Sequence, residues 1–340
     1  MAKRVGKHTI KFENPVFVKG FGSSVGKKEG EGPLSEWFDN INNDTKLGQK
    51  TWEAAESALL TSAVTTAIGN AKFTNDDIDG IYVGDLLDQS IASTFGVKDL
   101  GIPHIGLFGA CSTMALSSCL ASIAVESGAM NNAIAATSSH YCSAERQFRF
   151  PLEYGSKKTP TSQWTATASG ALVISNQPTN IKIKAVTFGK VNDYDVKDAN
   201  NMGAAMSPAA ADTICNYFDD TGNSPDDFDL ILTGDLGKVG VTLLYELCRS
   251  RGYDIKDQHN DCGLMIYSDD DKDIVAGASG CGCSGSVLCS YIIKQMQQGS
   301  INRVLFCGTG ALMSPTSSQQ GLSIPGIAHA IEFITEQEAI

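Results

Sequence analysis

The sequence predicts an α/β protein made of two duplicated halves, layered so that strands alternate with helices and two buried helices lie at the centre. Three observations predict this. First, the block Asp76-Asp77-Ile78-Asp79-Gly80-Ile81-Tyr82-Val83-Gly84-Asp85-Leu86 aligns without a gap with Asp226-Asp227-Phe228-Asp229-Leu230-Ile231-Leu232-Thr233-Gly234-Asp235-Leu236. Each copy is an acidic turn, a short β-rich apolar run and a Gly-Asp-Leu end, and two copies in matching order point to duplication of a larger unit. Second, a Gly- and Cys-rich turn follows each block, Phe108-Gly109-Ala110-Cys111-Ser112-Thr113 and Ser279-Gly280-Cys281-Gly282-Cys283-Ser284. The stretch after each turn has helical length and no charge until its last turn, at Glu126 and at Lys294, as in a helix buried nearly all round. Third, the 340 residues, 42% hydrophobic and 19% charged, suit a globular chain of two medium-sized units.

The first half is placed at residues 1–180 and the second at 181–340. In the first, residues 52–68 carry Ala55, Leu59, Leu60, Ala63 and Ala67 at helical spacing. The duplicated block supplies a strand, residues 112–127 a helix that stops at Gly128, and residues 133–137 a second strand. In the second, a helix over 202–218 begins or bends at Pro208. The second block then supplies a strand, residues 286–298 a helix that stops at Gly299, and residues 304–307 a strand. Such alternation implies a largely parallel sheet covered on both faces. The two helices that follow the turns form the natural central layer.

Charge and hydropathy exclude several classes. With 38 acidic and 26 basic residues the net charge is -12, which opposes broad binding to nucleic acid or anionic lipid and leaves room for a local small-anion pocket. Residues 100–125 and 304–331 lack Asp, Glu, Lys and Arg, but Pro103 and His104 break the first and Pro315, Gln319, Gln320 and Pro325 the second. Both read as protein interior, so neither a signal peptide nor a transmembrane helix is expected. The ten cysteines read as reduced, small hydrophobes. Cys281 and Cys283 alone fall short of a four-ligand zinc site, and no metal or cofactor is expected.

Cys111 is the main candidate for chemistry. It stands where a strand turns into a helix, and free N–H groups there favour negative charge. That place suits a thiolate nucleophile of lowered pKa, a cradle for a carboxylate or phosphate, or a small packed cysteine. Among the five histidines, His140 ends a strand after Ser138 and Ser139, and His329 lies near the C-terminus. His259, followed by Asn260 and Asp261, is the best candidate base. Arg146 and Arg149 are interleaved with aromatics and suit an anion clamp or a solvated loop. The acidic run 269–273 lacks the spacing of a calcium loop.

These turns, in duplicated halves, resemble the thiolase fold of ketoacyl synthases. Longer stretches resemble one family more narrowly, that of stage V sporulation protein AD of endospore-forming bacteria. They include Phe108-Gly109-Ala110-Cys111-Ser112-Thr113, Ala136-Thr137-Ser138-Ser139-His140, Ala144-Glu145-Arg146-Gln147-Phe148-Arg149, Pro208-Ala209-Ala210-Ala211-Asp212-Thr213-Ile214 and His259-Asn260-Asp261-Cys262-Gly263-Leu264-Met265-Ile266-Tyr267, and they run nearly the whole chain. The resemblance implies binding of dipicolinic acid, alone or with calcium, and its uptake into the developing spore together with membrane proteins of the same operon. It implies a peripheral place at the forespore inner membrane and a homodimer. Condensing enzymes of the fold need a His where Thr233-Gly234-Asp235 stands and an Asn where Ser279 and Gly280 stand, so a binding protein is expected here. The alternative is an acyltransferase with Cys111 as nucleophile and His259 as base. The residues expected to meet ligand are Cys111, Ser112, Ser139, His140, Arg146, His259, Asn260, Asp261 and Gly282.

Overall fold

The computed structural model describes residues 2–148 and 158–335. Ten strands form the spine of one sheet: β1 Phe17–Gly26, β2 Gly80–Gly84, β3 His104–Gly106, β4 Asn132–Ser139, β5 Ala168–Ser175, β6 Ile181–Phe188, β7 Leu230–Thr233, β8 His259–Asp261, β9 Arg303–Ala311 and β10 Gly326–Thr335. Their order is β8-β7-β9-β10-β6-β1-β5-β4-β2-β3. The order reads the same from both ends once each strand is matched to its counterpart in the other half. The halves meet where β6 and β1 share a single registered pair, Lys182 with Phe17.

The sheet is mixed, unlike the largely parallel sheet expected from the alternation. β2 is parallel to β3 and to β4, and β7 to β8 and to β9. β5 runs antiparallel to β4 and β1, and β10 antiparallel to β9 and β6. The reason is clearest between β9 and β10. The only helix between them, Pro315–Gln319, has five residues and cannot recross the sheet, so the chain returns beside the strand it left.

The main helices are α1 Trp52–Asn70, α2 Ile91–Val97, α3 Thr113–Glu126, α4 Tyr141–Phe148, α5 Met202–Thr221, α6 Gly237–Ser250 and α7 Cys281–Val287. After α7 the same helical course continues through a π segment, Leu288–Ile292, to Gln297. It therefore starts five residues before the expected position 286. α5 runs through Pro208 and begins at Met202, where the Asn201 side chain accepts from the Ala204 N–H. That cap offsets part of the loss at the proline. Gly128 and Gly299 end their helices with φ of 75° and 74°, a left-handed turn that glycine adopts without a Cβ clash.

Apolar side chains sort into layers. Met114, Ala115 and Cys119 of α3 share the central cluster with Cys283 and Val287 of α7. α1 covers the first half through Leu60, Ala63, Val64 and Ala67, and α5 covers the second through Met206, Ala210, Ile214 and Phe218. The duplication extends to individual hydrogen bonds. Asp79 accepts the N–H groups of Asn131 and Asn132, and Asp229 those of Asn302 and Arg303. Thr74 with Asp77, and Ser224 with Asp227, form matching capping boxes. Among the described residues no helix is long and apolar enough to cross a membrane.

Candidate functional site

The turn that carries Cys111 is a short 3-10 segment, Ala110–Ser112, just before α3. Ala110 sits at φ 49°, a left-handed conformation that costs an alanine energy and must be held by its surroundings. Two side chains hold it. The Ser112 hydroxyl donates to the Gly109 carbonyl at 2.6 Å, and the Thr113 hydroxyl to the Ala110 carbonyl at 2.7 Å. The Cys111 sulfur faces the second Gly-Cys turn, with Sγ 3.9 Å from Ser279 Oγ. Ser279 donates to Asp235 Oδ2 at 3.2 Å, the Gly280 N–H donates to the same oxygen at 2.8 Å, and Thr309 Oγ donates to Oδ1 at 2.9 Å. The two halves thus meet at a thiol, a hydroxyl and a buried carboxyl.

Beside this group lies a cavity with apolar walls from Leu86, Phe108, Phe148, Met202 and Met313. Cys111, Glu145, Gln163, Thr165, Asn200 and Ser279 supply its polar atoms. Its water-accessible interior is ≈ 40 Å³, room for about three waters. No Lys, Arg or His is among the described residues lining it. Phe108 stands at the mouth and is 51% exposed.

Burial sets the protonation states. The thiolate that a helix N-terminus would favour is overruled here. Burial first, then the negative charge of Asp235 and the neighbouring Cys281, push the Cys111 thiol well above its ordinary range. Asp235 is itself pushed up to about 7 by burial, against the hydrogen bonds it accepts. Cys111 is therefore a neutral thiol at neutral pH, which goes against the thiolate of lowered pKa, one of the three alternatives that the turn left open.

Of the nine residues expected to meet ligand, only Cys111 lines the cavity. Ser112 is spent on holding the turn. Ser139 donates to the Ala166 carbonyl at 2.7 Å and accepts the Gly282 N–H at 3.2 Å. A Cβ on Gly282 would lie 2.1 Å from the Ala168 carbonyl oxygen, so that glycine is there for close packing. His140 is buried, with Nε2 2.9 Å from the Thr45 carbonyl and Nδ1 accepting the Cys142 N–H at 3.1 Å. Arg146 pairs with Glu53 on the surface, and Arg149 lies outside the described residues.

His259 is tied up in the same way. Thr233 Oγ donates to Asp261 Oδ2 at 2.6 Å, so it accepts from His259 Nε2 at 2.9 Å, and Tyr245 donates to Nδ1 at 3.0 Å. Burial lowers the imidazole to about 3. It is a neutral hydrogen-bond bridge, which removes it as the base for Cys111. Asp261 also accepts the N–H groups of Leu236 and Gly237, and Asn260 is exposed. Sequence reasoning missed Asp235 as a site residue. Its signal was the repeated Gly-Asp-Leu, whose first copy buries Asp85.

These buried groups predict a pH dependence of stability. Glu56 is raised to about 8, by burial and then by Asp85, and Asp235 to about 7. Raised carboxyls hold protons that the unfolded chain has released, so their contribution is complete at low pH and is lost as pH rises through these values. His259, at about 3, and His329, at about 4, act with the opposite sign, but only below the ordinary histidine value of 6.5. Between pH 6.5 and 8.5 the unfolding free energy should fall, by about 1.4 kcal/mol per pH unit for each proton of difference. Denaturant unfolding across that range checks it, and Glu56→Gln should flatten the curve. A flat or rising wild-type curve would contradict the buried carboxyls.

Comparison with known proteins gives the family and the fold. The family model described as stage V sporulation protein AD matches residues 6–334. Stage V sporulation protein AD of Bacillus subtilis (strain 168) is 46% identical over 331 residues, 97% of this chain and 98% of that protein. Among solved structures, 3-oxoacyl-[acyl-carrier-protein] synthase III from Aquifex aeolicus VF5 is 10% identical with a TM-score of 0.56, covering 94% of this chain and 99% of its own. An OleA variant from Xanthomonas campestris is 15% identical with a TM-score of 0.60, covering 95% and 99%. These two share the thiolase-like fold, which is what likeness at that level of identity shows. The chain thus carries the thiolase-like fold and belongs to the stage V sporulation protein AD family.

Proposed function

We propose that this chain acts in sporulation by binding dipicolinic acid, or its calcium chelate, in the cavity beside Cys111. It would serve uptake into the developing spore as a peripheral subunit, paired as a homodimer with membrane proteins of the same operon attached, and would carry out no condensation itself. Family membership supports the place in sporulation. The single observation that carries the non-enzymatic reading is the Cys111 environment, a thiol held neutral beside a carboxyl with no histidine lining its cavity. A condensing site needs a thiolate and donors aimed at a developing oxyanion.

The same chemistry favours one form of the ligand. Dipicolinate is a planar dianion at neutral pH. The described lining of the cavity offers it apolar walls and no Lys, Arg or His to answer two negative charges. The neutral calcium chelate meets the same walls without needing such a partner. Entry requires Phe108, Phe148, Met202 or Met313 to move, because the resting space of ≈ 40 Å³ holds only waters.

Calorimetric titration with dipicolinate, with and without calcium, tests the reading, with isophthalate as the control lacking the ring nitrogen. Calcium should tighten binding about tenfold or more, and Ala144→Trp, placed on the cavity wall, should remove it. His259→Ala should leave it intact while costing about 1–3 kcal/mol of stability through the stranded Thr233 and Tyr245 partners. No heat and no thermal stabilisation at millimolar ligand would overturn the proposal.

A further inference from the structure

We propose a second site, for a phosphate-bearing anion, in the cleft that the N-terminal hairpin forms with strands β6 and β10. It is independent of the cavity at Cys111 and shares no lining residue with it. Residues 1–12 contain Lys3, Arg4, Lys7 and Lys11 and no Asp or Glu, in a chain of net charge -12. The strands Lys3–Val5 and Thr9–Lys11 pair antiparallel with Lys3 directly opposite Lys11. Lys11 in turn lies opposite Ala185 of β6, which brings Lys184 to the same cleft. Like charges set across neighbouring strands destabilise a sheet unless something neutralises them. None of Lys3, Lys11 and Lys184 has a carboxylate within ion-pair distance among the described residues.

The floor of the cleft is already neutral. Glu332 Oε1 accepts from Arg303 Nε at 2.9 Å and lies 2.8 Å from Arg303 Nη2. Glu332 Oε2 accepts from the Tyr217 hydroxyl at 2.8 Å, and Asn223 donates to that hydroxyl at 2.9 Å. Among the described residues, the one acid lining the cleft is thus matched by Arg303, and Lys11 and Lys184 are left without a carboxylate partner. Asn302 completes the wall, and the open space is ≈ 490 Å³, of small-ligand size. The arginine fork that would read a planar carboxylate is occupied by Glu332. What remains are two compact ammonium charges, which suit the concentrated charge of a phosphate better than the plane of a carboxylate. Such a group could belong to a soluble molecule or to a lipid headgroup.

Titration of the full chain with inorganic pyrophosphate at low ionic strength tests the site. Co-sedimentation with vesicles of phosphatidylglycerol in phosphatidylcholine is run in parallel. The variants are Lys11→Gln/Lys184→Gln and, as a charge-matched control at exposed positions, Lys50→Gln/Lys256→Gln. At least one probe should bind, weaken with added salt, and lose at least tenfold in affinity in the first variant but less than twofold in the control. Pyrophosphate binding without vesicle binding assigns a soluble ligand, and vesicle binding assigns the headgroup. Failure of both probes to bind, or equal losses in the two variants, overturns the site.

Discussion

Gly170→Ala is expected to cost about 4 kcal/mol or more, enough to leave much of the chain unfolded. Gly170 lies on β5, where α7 crosses it. A Cβ there would sit 2.1 Å from the Gly285 carbonyl oxygen and 2.2 Å from the carbonyl carbon. Neither atom can yield by a rotamer change, because both belong to the backbone of a helix buried along its length. The helix would have to lift from the sheet, opening the central cluster that α3 and α7 fill together. The same helix begins two residues after Ser279, so the Cys111 cavity would open with it. Gly69→Ala is the matched control, since nothing lies within 4 Å of its added Cβ. In α1 that change should be neutral or stabilise by up to about 1 kcal/mol. Denaturant unfolding of both variants decides the matter. A loss below about 1 kcal/mol for Gly170→Ala would mean that α7 does not seat on β5 as described.

The second large effect concerns the reactivity of Cys111. In a Cys142→Ser background, which removes the partly exposed thiol, alkylation of Cys111 by iodoacetamide at pH 7.5 should run at least a hundredfold slower than in the denatured chain. Each unit by which the thiol is raised removes tenfold of the thiolate. Poor access adds to this, because Cys111 is only 5% exposed. Asp235→Asn separates the two causes. It removes the negative charge that ranks second among the causes raising the thiol and leaves access unchanged. Alkylation should then quicken by roughly tenfold and still fall short of the denatured rate, because burial persists. Incubation with acyl thioesters should leave the intact mass unchanged. An acyl group found on Cys111 would restore the acyltransferase reading and sink the binding-only one.

How much was legible in the sequence depends on the range of the interaction. Repetition and apolar spacing are local, and they placed α1, the Cys111 turn, α3 and the paired Gly-Asp-Leu ends within a few residues. They also marked Gly128 and Gly299 as stops, since a left-handed residue after a helix is a one-residue signal. The mixed strand directions were less legible. Strand direction follows from what lies between strands, and the β9–β10 connection gives no clear pattern until its helix is seen to be five residues long. The histidines were misjudged for a different reason. His259 looks free beside Asn260 and Asp261, and only the packing of β7 and α6 brings Thr233 and Tyr245 onto its two nitrogens.

The sequence by itself determined the two-part α/β plan, the strand–turn–helix that carries Cys111 and the family. All three are written in contiguous residues. Only the tertiary structure decided which side chains share the cavity and in which protonation state. Cys111 and Ser279 are 168 residues apart, and Asp235 and Thr309 are 74 apart, so no local pattern ties them together. At the helix mouth, local rules favoured a thiolate. Burial and the Asp235 charge outweighed them, because the cost of desolvating a charge exceeds what one helix end returns.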